Sequence, residues 1–346
     1  MAPTKLFITG GTGFIGGSVL DAIQSTYPEL EITALLRKPN ESFTSRYPSI
    51  KIIKGTFEDF DIIQDASEQA DIVLHAGNTD HMASVKAILA GLAKKTTQSL
   101  LLHLTGTASI SDTMQGNKAY AGKLNPRVWN DIDDVDEIYN LSTDIIHRDV
   151  DRLIADANNE LVKTITISPP DIYGQKTGSG TTGSFLVPEY VKAIIELKKA
   201  FYLGEGQNIR GLVHISDVVS LFVLILGKYL QGGQGLDYGK EGFYFASSDG
   251  VKWKDAAEAI AKIGHEQGWL TEETQPVSLG LEEFVKLRFK NSFFQDQIIL
   301  YMWGSNSRAE SARAKRLGWE PKGPSFWDCL AEDCRVAAEE YAKASK

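Results

Sequence analysis

Lys5-Leu-Phe-Ile-Thr9 runs straight into Gly10-Gly11-Thr12-Gly13-Phe14-Ile15-Gly16-Gly17. An apolar strand followed at once by glycines in a GxxGxxG spacing is how a backbone comes close to a pyrophosphate. Gly10 makes the turn, Gly13 lets the chain approach the phosphates, and Gly16 lets the following helix lie tightly on the strand. Thr12, Phe14 and Ile15 belong to the same turn and helix start, where free N–H groups and the helix dipole favour an anion. A purely structural glycine turn would need no ligand. The place of this one, between a strand and a helix at the head of an alternating series, points instead to a dinucleotide.

Outward from that loop, short apolar runs alternate with amphipathic ones: LFIT, a helix from about Gly16, ITALL, KII, DIVLHA, a helix from about Ser84, then LLHLTG. Strands alternating with helices imply βαβ units, and strands with few polar breaks suit a parallel sheet covered on both faces. The expected fold is α/β, a Rossmann doubly wound sheet. A further strand, Thr164 to Ser168, ends at Pro169-Pro170, and Gln175 to Gly183 (QKTGSGTTG) is a loop by composition. Helical patterns then cover about Pro188 to Lys199, Ser216 to Leu230, Trp253 to Gln267, Leu281 to Phe289 and Phe326 to Lys343, with little strand between. Residues 1–174 are expected to form the dinucleotide domain, joined by return segments from about 205–220 and 240–250. Residues 175–346 would form a smaller, mostly helical substrate lobe.

Composition bounds the function. A net charge of -9 argues against nucleic-acid or anionic-membrane partners. Val218 to Leu226, the longest apolar run, is about half a bilayer span and reads as a buried helix. Cys329 and Cys334 lie five apart in a helical stretch and cannot easily bridge, which fits a reducing compartment. The start MAPTKLFITGG enters a strand without an apolar leader, so a cytoplasmic location is expected.

At the end of the second strand, where an NAD site offers a carboxylate to the ribose 2′-OH, the chain reads Leu35-Leu36-Arg37-Lys38. Two cations there suit a 2′-phosphate, so the cofactor is expected to be NADP(H); the alternative is a solvated basic pair.

Five segments resemble the extended or atypical short-chain dehydrogenases, which include nucleotide-sugar epimerases, dihydroflavonol-type reductases and NmrA-like proteins. They are TGGTGFIGG (Thr9–Gly17), DIVLHAG (Asp71–Gly77), SPPDIYG (Ser168–Gly174), IRGLVHISDV (Ile209–Val218) and NSRAESARAKRLGWEP (Asn306–Pro321). The resemblance implies that Thr56 and Phe57 sit beside adenine, that His75, Ala76 and Gly77 border the adenine ribose, and that Pro169 and Ile172 lie near the nicotinamide. It matches Arg210 to an arginine that holds substrate phosphate, although Gly211 replaces the usual acid and an ordinary surface arginine is the other reading.

The chain departs from the family at the chemistry. Redox members carry Tyr-x-x-x-Lys on one helix, and the only such spacing here, Tyr47 to Lys51, falls before the third strand. Counting back from SPPDIYG puts Thr143 and His147 at the tyrosine and lysine positions; a shift of four puts His147 and Asp151 there. His147 is a reasonable proton donor, with Asp151 expected one turn later to orient it; a ribose-binding or surface histidine is the competing reading. Thr105 is the chosen carbonyl contact, Tyr139 a residue that could fold back, and Tyr173 a candidate beside the nicotinamide or a packing residue. His214 is expected at the base of the helix from Ser216. The six histidines show no metal-ligand spacing, and Asp131 to Glu137 (DIDDVDE) reads as a solvated loop.

The leading expectation is an NADP(H)-dependent oxidoreductase acting on a carbonyl or hydroxyl of a small organic molecule, as a monomer or homodimer. The alternatives are an NmrA-like regulator that binds NADP without turnover, and a non-redox isomerase or lyase.

Overall fold

The apolar runs pair as parallel ladders in a computed structural model, which describes residues 3–39, 41–180, 183–271, 275–289 and 296–344. β1 (Lys5–Thr9) leads through the glycine loop to α1 (Phe14–Thr26). Then come β2 (Glu31–Leu36), α2 (Glu41–Arg46), β3 (Lys51–Lys54), α3 (Phe60–Gln69), β4 (Ile72–His75), α4 (Met82–Leu92) and β5 (Ser99–Leu104). A 3-10 turn (Thr107–Ile110), β6 (Trp129–Asn130), α5 (Val135–Asn140) and α6 (Arg148–Asp156) separate β5 from β7 (Val162–Ser168) and β8 (Asp171–Tyr173). After α7 (Leu186–Leu197) and β9 (Phe201–Leu203), β10 (Ile209–His214) feeds α8 (Ile215–Leu230), β11 (Phe243–Phe245) and β12 (Asp249–Lys252). The chain closes with α9 (Trp253–Glu266), β13 (Val277–Leu279), α10 (Leu281–Phe284), α11 (Asp296–Gly304), β14 (Ala309–Glu310), α12 (Ala312–Arg316) and α13 (Phe326–Ala344).

Seven strands form the main sheet in the order β11-β7-β5-β4-β1-β2-β3, and every pairing in it is parallel. The chain winds outward through β2 and β3, then returns past β1 to β4, so the order reverses between β1 and β4. A crevice opens at such a switch point, outside the carboxyl ends of the strands. Both faces are covered: Leu6 and Ile8 pack with α1 and α8 on one side, while Phe7 packs with α3, α4 and α6 on the other. This is the doubly wound α/β fold that the alternation predicts. The apolar run Val218–Leu226 lies inside α8 against α1, and no described helix is long and apolar enough to cross a membrane.

A second core gathers α7, α9 and α13 around Tyr190, Phe201, Trp253 and Trp303, with the Tyr190 and Trp253 rings 4.9 Å apart. It holds more strand than expected: β8, β10 and β12 form one small sheet, β9 and β13 a second, and β6 and β14 a third. The helix expected over Leu281–Phe289 stops at Phe284, because the chain then leaves the helix to send Phe289 against Phe201 and Trp303. The expectation of a solvated acidic segment holds for Asp133, Asp136 and Glu137, which are exposed, and fails at its first residue. Asp131 is fully buried and accepts hydrogen bonds from the backbone N–H of Phe245 and Arg313, and burial pushes its carboxyl up to about 6.

Candidate cofactor cleft and reaction edge

The carboxyl ends of β1, β2, β4 and β5 surround a cleft of about 370 Å³. Its floor is the glycine loop, with Gly10, Thr12, Gly13, Phe14 and Ile15 in the lining. The glycines are dictated by space. Gly10 has φ +78°, and a Cβ there would stand 2.2 Å from the Ala76 carbonyl oxygen. A Cβ on Gly16 would stand 2.3 Å from the Gly10 carbonyl oxygen, so only glycine lets α1 start this close to β1. The first turn of α1 therefore aims its free N–H groups into the cleft, a cradle that fits a pyrophosphate.

Leu35, Leu36 and Arg37 form one wall, Gly55, Thr56 and Phe57 a second, and Ala76, Gly77, Asn78 and Leu104 a third. The Phe57 ring lies over Gly77, whose Cβ would fall 2.3 Å from the ring. Thr56 is exposed at the rim; its backbone N–H and hydroxyl both donate to Asp59, which holds that carboxyl below the usual carboxylate range. Asp59 is thereby committed to Thr56. Arg37 and Lys38 are exposed and make no hydrogen bond or ion pair among the described residues; Arg37 lines the cleft and Lys38 lies just outside it.

His75 does not line the cleft. It is fully buried beneath it, with Nδ1 2.6 Å from the Thr9 hydroxyl and its ring stacked on His103 at 5.3 Å. Alternation along β4 explains the correction, since the residue before Ala76 must face α4 rather than the crevice. Burial pushes the His75 pKa down to about 4 and moves that of His103 in the same direction.

Past Leu104 on the cleft wall, the chain reaches Gly106, where His147 comes close. A Cβ on Gly106 would lie 3.4 Å from His147 Nε2 and 4.0 Å from the Pro169 carbonyl oxygen. The helix expected to carry Thr143 and His147 begins only at Arg148. Thr143 is exposed in the preceding turn, so it shares no face with His147. His147 is the N-terminal boundary residue of α6, with a left-handed φ of 73°.

Asp151 does not orient His147. It is buried, 3.0 Å from Arg148, and its second oxygen is 3.9 Å from His103 Nε2. The partner of His147 is Asp80, whose Oδ1 is 2.6 Å from Nδ1. Asp80 is invisible to local spacing because 67 residues separate the pair; the available signal is its place just after β4, at the carboxyl edge where such sites collect.

Thr105 is buried beside Asp151, and its hydroxyl has no hydrogen-bond partner of regular geometry. Pro169 accepts a hydrogen bond from Thr107 N–H, and Ile172 packs on the core shared with α8. Tyr173 is a packing residue: its hydroxyl donates to the Pro324 carbonyl, its ring lies against His214 and Phe326, and burial pushes its pKa up. Tyr139 turns away and donates to Asp156. His214 caps α8 by accepting from Ser216 N–H.

Arg210 is neither a phosphate clamp nor a surface residue. It is fully buried, 2.7 Å from Asp171, donates to the Tyr301 carbonyl and the Ser305 hydroxyl, and stacks on the Tyr301 ring at 4.3 Å. Parallel pairing of β8 with β10 brings Asp171 to it, so the guanidinium ties the small sheet to the segment after α11. The loop from Gln175 seats on α1: Thr177 N–H donates to Ser18, and a Cβ on Gly180 would stand 2.6 Å from the Gly13 carbonyl. Thr181 and Thr182 of that loop lie outside the described residues.

Comparison with known proteins agrees with this architecture. The chain is 28% identical to the oxidase ucsJ of an Acremonium species, covering 98% of each. A UDP-glucose 4-epimerase from Thermotoga maritima, solved with UDP-glucose, superposes with a TM-score of 0.62 at 15% identity, covering 99% of this chain and 100% of that one. A dTDP-glucose 4,6-dehydratase from Bacillus anthracis, solved with NAD, gives 0.66 at 16% identity, with the same coverage. The family model described as NAD dependent epimerase/dehydratase matches residues 6–120 and 130–239, in step with the glycine cradle, the switch-point cleft and the sheet order, and the chain belongs to that family.

Proposed function

We propose that this protein is an NADP(H)-dependent oxidoreductase that interconverts a hydroxyl and a carbonyl group on a small organic molecule held between the sheet and the second core. The observation that carries the cofactor choice is Arg37, exposed on the cleft wall opposite the glycine loop and committed to no other group among the described residues. A guanidinium suits a 2′-phosphate, and Asp59, a nearby carboxylate, is occupied by Thr56. Lys38, next along the exposed bend, adds to the positive potential. The relative named as an oxidase supports redox chemistry over a purely structural role for the nucleotide.

The bound dinucleotide would supply a nicotinamide ring that takes up or gives a hydride. The chain's own groups divide the remaining work. Gly10, Gly13 and Gly16 shape the pyrophosphate cradle, Phe57 closes the adenine end, and His147, beside Gly106 and Pro169, handles the proton at the reacting oxygen. The missing Tyr-x-x-x-Lys on α6 favours a second reading, an NADP-binding regulator without turnover. Incubation of the purified protein with each cofactor form and a panel of alcohols, aldehydes and ketones separates the two. A change in nicotinamide absorbance with some pair is expected. Tight NADP(H) binding without turnover of any pair would favour the regulator, and substrate conversion at constant absorbance would favour a non-redox enzyme.

A further inference from the structure

We propose that Asp80 and His147 form a carboxylate–imidazole pair that acts as the general base of this site, taking the proton from an alcohol when the imidazole is neutral. The proposal rests on the oxidoreductase reading and extends it to the direction and the substrate class.

Two segments far apart in sequence make the pair. Asp80 stands on the short loop between β4 and α4, and that loop is fixed from several sides. Asp80 N–H donates to the Asn78 side chain, the Thr79 hydroxyl is 3.1 Å from the buried His103 Nε2, and His81 Nδ1 accepts from Ser84 N–H to cap α4. His147 arrives on the other side at the start of α6. Its left-handed backbone is unusual: among the described non-glycine residues only His147 and Lys198 have positive φ. That conformation is strained for an L side chain and persists where the surroundings hold it. Here it holds the imidazole between two segments, with Nδ1 against Asp80 and Nε2 toward Gly106.

The pairing assigns the protons. An ionised carboxylate can only accept, so the bond to Asp80 requires Nδ1 to carry the hydrogen. In a neutral imidazole the lone pair then sits on Nε2, the nitrogen that faces the reacting edge. In that neutral form Nε2 is placed to accept a proton. Asp151, the other nearby acid, cannot impose this tautomer because it is engaged with Arg148 on the inner side of α6.

The step balances. The substrate O–H bond breaks and its proton passes to Nε2. A bound oxidised nicotinamide would supply the two-electron acceptor for the hydride that leaves the same carbon as the C=O bond forms. The proton then leaves the imidazolium to solvent. His147 is the catalytic residue of this step; Asp80 is a positioning residue that fixes its tautomer and orientation.

The test begins on the protein without cofactor. In ¹⁵N-histidine NMR at neutral pH, the neutral His147 ring should show a protonated Nδ1 and a bare Nε2, and Asp80→Asn should shift population toward the Nε2–H form. In turnover, His147→Ala should lower kcat for alcohol oxidation by about 10²–10⁴-fold, with NADP affinity unchanged and partial rescue by added imidazole. Asp80→Asn should lower kcat with KM little altered, and Asp80→Glu should recover part of the loss. A bare Nδ1 in the wild type would overturn the proposal. Turnover insensitive to Asp80→Asn would overturn the pair while leaving the oxidoreductase reading in place. No turnover in either direction would remove that reading, and the base assignment with it.

Discussion

The two ends of the crevice are built by different means. At the cofactor end, the shape comes from backbone: a turn at φ +78°, a helix start pressed on a strand, and glycines whose missing Cβ atoms make the room. At the other end, side chains from distant segments meet, as His147 and Asp80 do at 2.6 Å, and the proposed proton transfer depends on that distance. A local backbone pattern survives extensive change elsewhere in a chain. A pair of side chains can be replaced by another pair that reaches the same place from other elements. The contrast extends to the arginines: Arg37 is exposed and uncommitted among the described residues, whereas Arg210 is buried and fully engaged.

The largest effect should come from breaking a buried pair that serves neither end directly. Arg210→Ala leaves the Asp171 carboxylate uncompensated in the interior and should cost about 3–5 kcal/mol of stability. Folded protein that remains at low temperature should still bind NADP(H) with little change, as denaturant unfolding and titration together would show. A large loss of cofactor affinity without loss of stability would contradict the structural role of Arg210.

Gly10→Ala places a methyl group 2.2 Å from the Ala76 carbonyl and forces a positive φ on an L side chain. Stability should fall by roughly 3 kcal/mol, and dinucleotide affinity should fall with it, because the cradle itself moves. Thermal unfolding with and without NADP(H) checks this: the stabilisation that ligand gives the wild type should shrink sharply in the variant.

The histidine row beneath the cleft gives a pH signature. His75 stays neutral in the folded protein, with its pKa pushed down to about 4 by burial from an unfolded value near 6.5. Between those values the unfolded chain binds the extra proton, so stability falls as pH drops from about 6.5 to about 4. His75 contributes on the order of 3 kcal/mol to that loss. Asp131, pushed up to about 6, works in the opposite sense, and its contribution is lost as pH rises through 6. The fall in stability on acidification should therefore be shallower in His75→Gln than in the wild type. Equal slopes would show that His75 titrates alike in both states.

These contrasts also mark what the sequence could reveal. The glycine loop, the alternation and the basic pair after β2 are local patterns, and each points to its structure through spacing alone. The helix around His147 misleads because residues 142–146 carry no signal that α6 waits until Arg148, and a left-handed histidine leaves no trace in composition. Arg210 and Asp131 are misread for a common reason. A charge seen in a linear segment looks solvated until a partner arrives from another strand, as Asp171 does through the β8–β10 pairing and the Phe245 and Arg313 N–H groups do around Asp131.

The smallest and most direct effect concerns cofactor choice. Calorimetric titration of the wild type and of Arg37→Ala with NADP(H) and NAD(H) should show tighter NADP(H) binding in the wild type. In the variant the preference should fall by about tenfold or more, equivalent to roughly 1–3 kcal/mol for a charge-assisted contact. NAD(H) affinity should hardly change. Equal affinity for the two cofactors in the wild type, or a preference untouched by Arg37→Ala, would contradict the account.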